Sequence, residues 1–97
     1  MRLSVSEQAL DDARDTADWY IFEGAWPVAL RLQEQIDKAL SAITRTPGLG
    51  TPGPANTKLF PVRRVPVSLV YRVDGDMVPV IAVAGQRRWP GFWLARY

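Results

Sequence analysis

Nine residues divide this chain in two. The run Thr46-Pro47-Gly48-Leu49-Gly50-Thr51-Pro52-Gly53-Pro54 holds three prolines and three glycines. Proline removes a backbone donor and fixes φ, so neither a helix nor a sheet ladder is expected to continue through this stretch. It reads as a loop. The residues before it repeat with a helical period, and those after it alternate or are β-branched. Such a chain is expected to fold as α+β, in β-α-α-β-β-β order, with an antiparallel sheet packed against a helical hairpin. At 97 residues, one domain spanning 1–97 is expected, with a modest core.

Before the loop, Arg2 to Val5 alternates polar and apolar and predicts a short strand. Ser4 and Glu7 have the spacing of a capping box. Asp11 and Asp12 fall early in the helix that follows, where the helix dipole favours anions. That helix is expected from about Ser6 to Glu23, with Leu10, Ala13, Ala17, Tyr20 and Ile21 as its apolar face. Gly24 is placed to stop it, and Pro27 suits the first turn of a second helix. The second helix is expected from about Trp26 to Thr44. Ala29, Leu32, Ile36, Ala39, Leu40 and Ile43 repeat on one side of it, with Arg31, Glu34, Gln35 and Lys38 on the other. The short link favours an antiparallel hairpin.

After the loop, three strands are expected: Lys58 to Arg64, Val67 to Val73, and Val78 to Ala84. Asp74-Gly75 is a two-residue hairpin signal between the last two. Pro79 demands an unpaired position or a bulge. Tyr71 shares a strand face with Leu69 and Val73, which points to core packing.

Composition narrows the chemistry. Without cysteine there is no disulfide or thiolate metal site, and without histidine the commonest general base and zinc ligand are missing. No metal or other cofactor is expected. No apolar run approaches membrane-spanning length and the first residues lack a signal-like apolar stretch, so a cytoplasmic protein without membrane contact is expected. The charge is polarised. Residues 1–44 carry four basic and eight acidic side chains, and residues 45–97 carry eight basic and two acidic. A basic half suits an anionic partner, either nucleic acid or an acidic protein segment.

Several stretches resemble the RelE/ParE superfamily of toxins from bacterial type II toxin–antitoxin systems, and ParE-like toxins most of all. Ala9-Leu10-Asp11-Asp12-Ala13 through Ala17-Asp18-Trp19-Tyr20 is similar to the family's first helix. Ala39-Leu40-Ser41-Ala42-Ile43 followed by Thr46-Pro47-Gly48-Leu49-Gly50 resembles the end of its second helix and the loop beyond. Val62-Arg63-Arg64-Val65-Pro66-Val67 leading into Val70-Tyr71-Arg72 resembles its arginine-rich turn and next strand. Ile81 to Trp93 resembles its C-terminal signature, with Gly85 where many relatives carry histidine. The order and spacing of the pieces, over nearly the whole chain, make the resemblance.

The resemblance implies a toxin neutralised by a ParD-like antitoxin in a hetero-oligomer, with an amphipathic helix of the antitoxin laid in an apolar groove. For a ParE-like member the implied target is DNA gyrase and the protein is not an enzyme. The alternatives are a RelE-like, ribosome-dependent, metal-independent mRNA endonuclease, or an inactive relative retained for antitoxin binding. An RNase would draw on Arg63, Arg64, Arg87 and Tyr97 for catalysis, since it needs cations around phosphate and a group to move a proton. Tyr97 can equally be a frayed terminus. Arg87, Arg88, Trp89, Phe92 and Trp93 are the expected target-binding residues. Interleaved arginine and aromatic side chains can stack on bases or anchor a protein interface, and the second is favoured here. Trp19, Trp26, Arg63, Arg64 and Arg72 are the expected antitoxin-binding residues. Adjacent strand residues point to opposite faces, so Arg63 and Arg64 are not expected to serve one site.

Overall fold

The computed structural model describes residues 1–86 and 88–96. Strand β1 (Arg2–Val5) is followed by helices α1 (Glu7–Phe22) and α2 (Trp26–Arg45), then strands β2 (Thr51–Gly53), β3 (Thr57–Pro61), β4 (Val67–Tyr71) and β5 (Met77–Gly85). The sheet order is β1-β5-β4-β3-β2. The helical hairpin carries the chain across to the far edge, and four antiparallel strands lead back to β1, which pairs with β5 in parallel. The fold is α+β with a sheet packed against a helical hairpin. No helix among the described residues is long and apolar enough to cross a membrane.

Two local expectations change. The Pro/Gly run does contribute a strand: Thr51, Pro52 and Gly53 pair with Leu59, Lys58 and Thr57. It is an edge strand, where a proline is tolerated. The helix cap is Ser6, whose Oγ accepts the Ala9 N–H at 3.0 Å, and not Ser4. Ser4 is committed to β1 opposite Pro79, so Ser6 is the first hydroxyl free of the strand. At the other end, Gly24 at φ 78 reverses the chain, with N–H bonds from Gly24 to Ile21 O and from Ala25 to Tyr20 O.

Pro79 does sit beside a bulge. Val70 faces Ala82 while Tyr71 faces Val80, leaving Ile81 as the extra residue on β5. One inserted residue inverts the alternation of side chains. Val78, Val80 and Val83 therefore all join the core under the helices, with Leu32, Ile36, Ile43, Leu69 and Tyr71. Ile81 and Ala82 face the other way and pack with Val70 and Trp93. The C-terminal tail thus covers the face of the sheet that the helices leave open.

Helix α1 buries Ala9, Asp12 and Thr16, while Leu10 and Ile21 are exposed. Small side chains let the helix lie close on β5, which displaces the larger ones to its rim. Burial of Asp12 has a backbone cause. Strand β1 ends opposite Val80, so the next groups along that edge of β5 lack a strand partner. Side chains replace it: Val83 N–H donates to Asp12 Oδ2 at 3.1 Å, and Ser6 Oγ and Arg96 Nη1 donate to Ile81 O.

Candidate partner-binding surfaces

Helix α2 separates two clefts of opposite character. On one side, Ala9, Ala13 and Ala17 of α1 face Ala29, Leu32 and Ile36 of α2 across a groove of about 350 Å³. Val5, Val80 and Val83 line it from the sheet, and Leu10, Arg14, Gln33 and Asp37 contribute around them. Alanines along α1 fill too little space to close the groove. On the other side of α2, Gln35, Lys38, Ala39 and Ala42 face Phe60, Arg63 and Arg64 across a cleft of about 300 Å³.

The second cleft brings together two arginines that strand alternation would have separated. Strand β3 stops at Pro61, so Arg63 and Arg64 lie in the turn to β4. The turn is closed by Val62 N–H to Val67 O at 2.9 Å. Arg64 adopts φ 68, and its carbonyl accepts from Arg31 Nη1 at 3.4 Å. Both arginines line the same cleft. Gln35, read from the sequence as part of a solvated face, is buried there.

The other expected antitoxin-binding residues are elsewhere. Arg72 donates from Nη2 to Ala55 O at 3.2 Å and lines a separate cleft with Ser4, Gln8 and Arg96. Trp19 and Trp26 stand at the tip of the hairpin, both exposed, with Phe22 and Leu30 exposed beside them in the sequence. Trp19 meets Tyr20 edge to face, with ring centroids 5.0 Å apart.

In the tail, Trp93 is 4% exposed and belongs to the core of the second sheet face, whereas Trp89 is 74% exposed. Trp93 is therefore not available as a surface anchor; its indole fills the space over Val70, Ile81 and Ala82. Phe92 is half-buried, with the Arg88 guanidinium 3.8 Å from its ring centroid and that of Arg96 at 5.1 Å. Both guanidiniums also meet Asp12. Arg96 donates from Nη1 to Oδ2 at 2.6 Å and from Nη2 to Oδ1 at 3.0 Å, and Arg88 Nη1 lies 3.7 Å from Oδ1. The hydrogen bond to Asp12 raises the Arg96 pKa above its ordinary value, outweighing the opposing effect of burial. Asp12 was missed as anything but a helix-dipole anion, because its partner lies at the opposite end of the chain.

Tyr71 is fully buried. Its hydroxyl donates to Pro47 O at 2.7 Å and accepts the Gly50 N–H at 2.9 Å. The core role expected from its strand face is the one observed. Of the residues an RNase would use, Arg87 and Tyr97 lie outside the described residues, as does Arg87 in its expected target-binding role. At Gly85 an added β-carbon would meet Thr16 Oγ1 at 3.6 Å, an ordinary contact.

The sequence matches the family model of the ParE toxin of type II toxin–antitoxin systems, parDE, over residues 3–90. Among solved structures, the chain is similar to one described as the chromosomal ParDE TA system from P. aeruginosa. The TM-score is 0.74 at 19% identity, over 88% of this chain and 95% of that one. That likeness is one of fold. None of the curated proteins matches the sequence. The match across nearly the whole chain establishes that this protein is a member of the ParE toxin family, within the RelE/ParE superfamily, and a ParE-type toxin of a ParDE toxin–antitoxin system.

Proposed function

We propose that this ParE-type toxin inhibits DNA gyrase by binding it, and is neutralised by a ParD-like antitoxin whose amphipathic helix occupies the groove between α1 and α2. The groove supports the second half of this reading. Along its rim, exposed Leu10 and half-buried Ala13, Ala17, Ala29 and Leu40 suit apolar side chains presented at helical spacing, with Arg14, Gln33 and Asp37 available to polar groups beside them. An antitoxin segment that orders on binding offsets its ordering entropy by wrapping a large surface, and the hairpin offers one. Target binding falls to the tail, where Trp89 is exposed and Trp93 packs into the sheet face.

The observation that favours binding over RNA cleavage is the commitment of the chemistry-bearing side chains. Tyr71 is held by two backbone groups, and Arg88 is held by Asp12 and Phe92. Arg63 and Arg64 belong to a cleft beside α2. Tyr71 and Arg88 are thereby engaged with groups of this chain.

Pulse-labelling of DNA and protein synthesis just after induced expression tests this. An early fall in DNA synthesis with protein synthesis continuing is expected, together with accumulation of cleaved gyrase–DNA complexes. An early stop in protein synthesis would overturn it in favour of an mRNA endonuclease acting at the ribosome. Growth unaffected by soluble, folded protein would point to an inactive relative. Co-expression of a ParD-like antitoxin is expected to restore growth.

A further inference from the structure

The groove between α1 and α2 has rims of opposite charge. Arg14 stands on the α1 side and Asp37 on the α2 side. Arg14 pairs with Asp11 in solvent, and Asp37 accepts from Gln33 Nε2 at 2.9 Å; both residues are exposed and exchange partners readily. Apolar side chains extend the same rims. Ile21 lies seven residues after Arg14, and Trp26 and Leu30 lie seven before Gln33 and Asp37, two helical turns along the same stripe. These three and Leu10 are all exposed, Leu30 at 71%. Heights match across the hairpin too. Arg14 stands eight residues before the end of α1, about 12 Å, and Asp37 eleven after the start of α2, about 16 Å, so they differ by less than one turn. Leu10 and Leu40 are level in the same sense, at about 18 and 21 Å, and Ile21 and Trp26 meet at the tip.

We propose that, without its antitoxin, the toxin closes this groove with a second copy of itself. Two hairpins stack face to face about a two-fold axis parallel to the helices. That axis lays α1 of each copy antiparallel over α2 of the other, as a four-helix bundle. Arg14 then meets Asp37 of the other copy, Leu10 meets Leu40 and Ile21 meets Trp26, and symmetry makes each contact twice. Charge complementarity selects this arrangement: the other two-fold, with α1 over α1, sets like charges against one another. Area sets the strength. The face is about 24 Å long for the 16-residue α1 and about 20 Å wide for two helices, roughly 500 Å² on each copy. The total of about 1,000 Å² lies at the lower bound for a specific interface, so the dimer is weak and a wrapping antitoxin displaces it. The dimer does not rest on the antitoxin reading above; only that displacement does.

Sedimentation velocity of the full chain from about 1 to 100 μM, a span suited to a weak interface, tests this. The weight-average mass is expected to rise from 10.9 kDa toward twice that value. Leu30→Glu, at an exposed position outside the core, is expected to weaken association by roughly tenfold or more with an unchanged thermal midpoint. Arg14→Glu is expected to weaken it about tenfold, since each dimer loses two attractions and gains two repulsions. Arg14→Glu combined with Asp37→Arg is expected to recover association, which a misfolded variant could not do. The proposal is overturned if the chain stays monomeric at about 100 μM. It is equally overturned if Leu30→Glu or Arg14→Glu associates like the parent, or if the double exchange does not restore association. Neither antitoxin nor gyrase is present, so a negative result removes the dimer and leaves the toxin reading to the labelling and growth assays.

Discussion

The carboxylate of Asp12 on the first helix grips Arg96, 84 positions later, through two hydrogen bonds of 2.6 and 3.0 Å. Its Oδ2 also takes the Val83 N–H, so one buried side chain joins helix, sheet edge and tail. This contact holds the tail across the sheet face that the helices leave open. It also positions the Arg88–Phe92 pair beside the exposed Trp89.

Removing Asp12 leaves the Arg96 guanidinium and the Val83 N–H without this acceptor and Arg88 without its ion-pair partner. Asp12→Ala is expected to destabilise by about 3 kcal/mol, within the range for breaking a buried pair. Its neighbour Asp11 pairs with Arg14 in solvent, both side chains being over 60% exposed. Asp11→Ala is expected to cost less than about 0.5 kcal/mol. Urea denaturation of the two variants checks the contrast; equal costs would contradict the role given to Asp12.

Trp93 and Trp89 differ in the same way, one buried and one exposed. Trp93→Ala empties a core site and is expected to cost about 3–5 kcal/mol. Trp89→Ala removes an exposed ring and is expected to change stability by less than about 0.5 kcal/mol. Trp89→Ala is also expected to reduce growth inhibition while leaving antitoxin binding intact. Calorimetry, growth curves and antitoxin pull-down read the three effects; full toxicity in Trp89→Ala would remove it from the target surface.

Tyr71 ties the loop after α2 to the core. Tyr71→Phe strands the Gly50 N–H and the Pro47 carbonyl, an expected loss of about 1–3 kcal/mol. Gly50→Ala is expected to be at least as damaging, since its β-carbon would fall 2.8 Å from the Tyr71 hydroxyl and 2.9 Å from Lys58 Cβ. Gly85→Ala has room, and it is expected to stabilise by about 0.4–1 kcal/mol through the unfolded state. Thermal unfolding of the three variants gives the order.

The pKa shift of Arg96 has a pH consequence. The Asp12 hydrogen bond raises its folded-state pKa above the ordinary arginine value, so its contribution is fully present below the unfolded value and is lost only as pH climbs through the folded one. Alkaline titration from neutrality to about pH 11 is therefore expected to leave the Arg96 contribution unchanged, because arginine stays protonated there. The stability difference between the parent and Arg96→Gln, measured across that range, should be flat; a decline would mean that another group supplies the grip.

Local patterns were legible in the sequence because they depend on neighbours along the chain. The helical repeats of Leu32, Ile36, Ala39 and Ile43, the stop at Gly24, the bulge beside Pro79 and the burial of Tyr71 all follow from period, φ preference and polarity within a few residues. So did the order of the elements and the basic character of the second half. Only the tertiary structure decided the rest. Asp12 is buried because β1 ends before β5 does, and its cation comes from the far terminus. Trp93 is core because the tail folds over a sheet face that the sequence does not mark as uncovered. Arg63 and Arg64 line one cleft because the strand ends at Pro61 and the turn that follows, with Arg64 left-handed, escapes strand alternation. Each of these depends on where a distant segment arrives or on a single backbone angle, and neither leaves a periodic trace in the residues themselves.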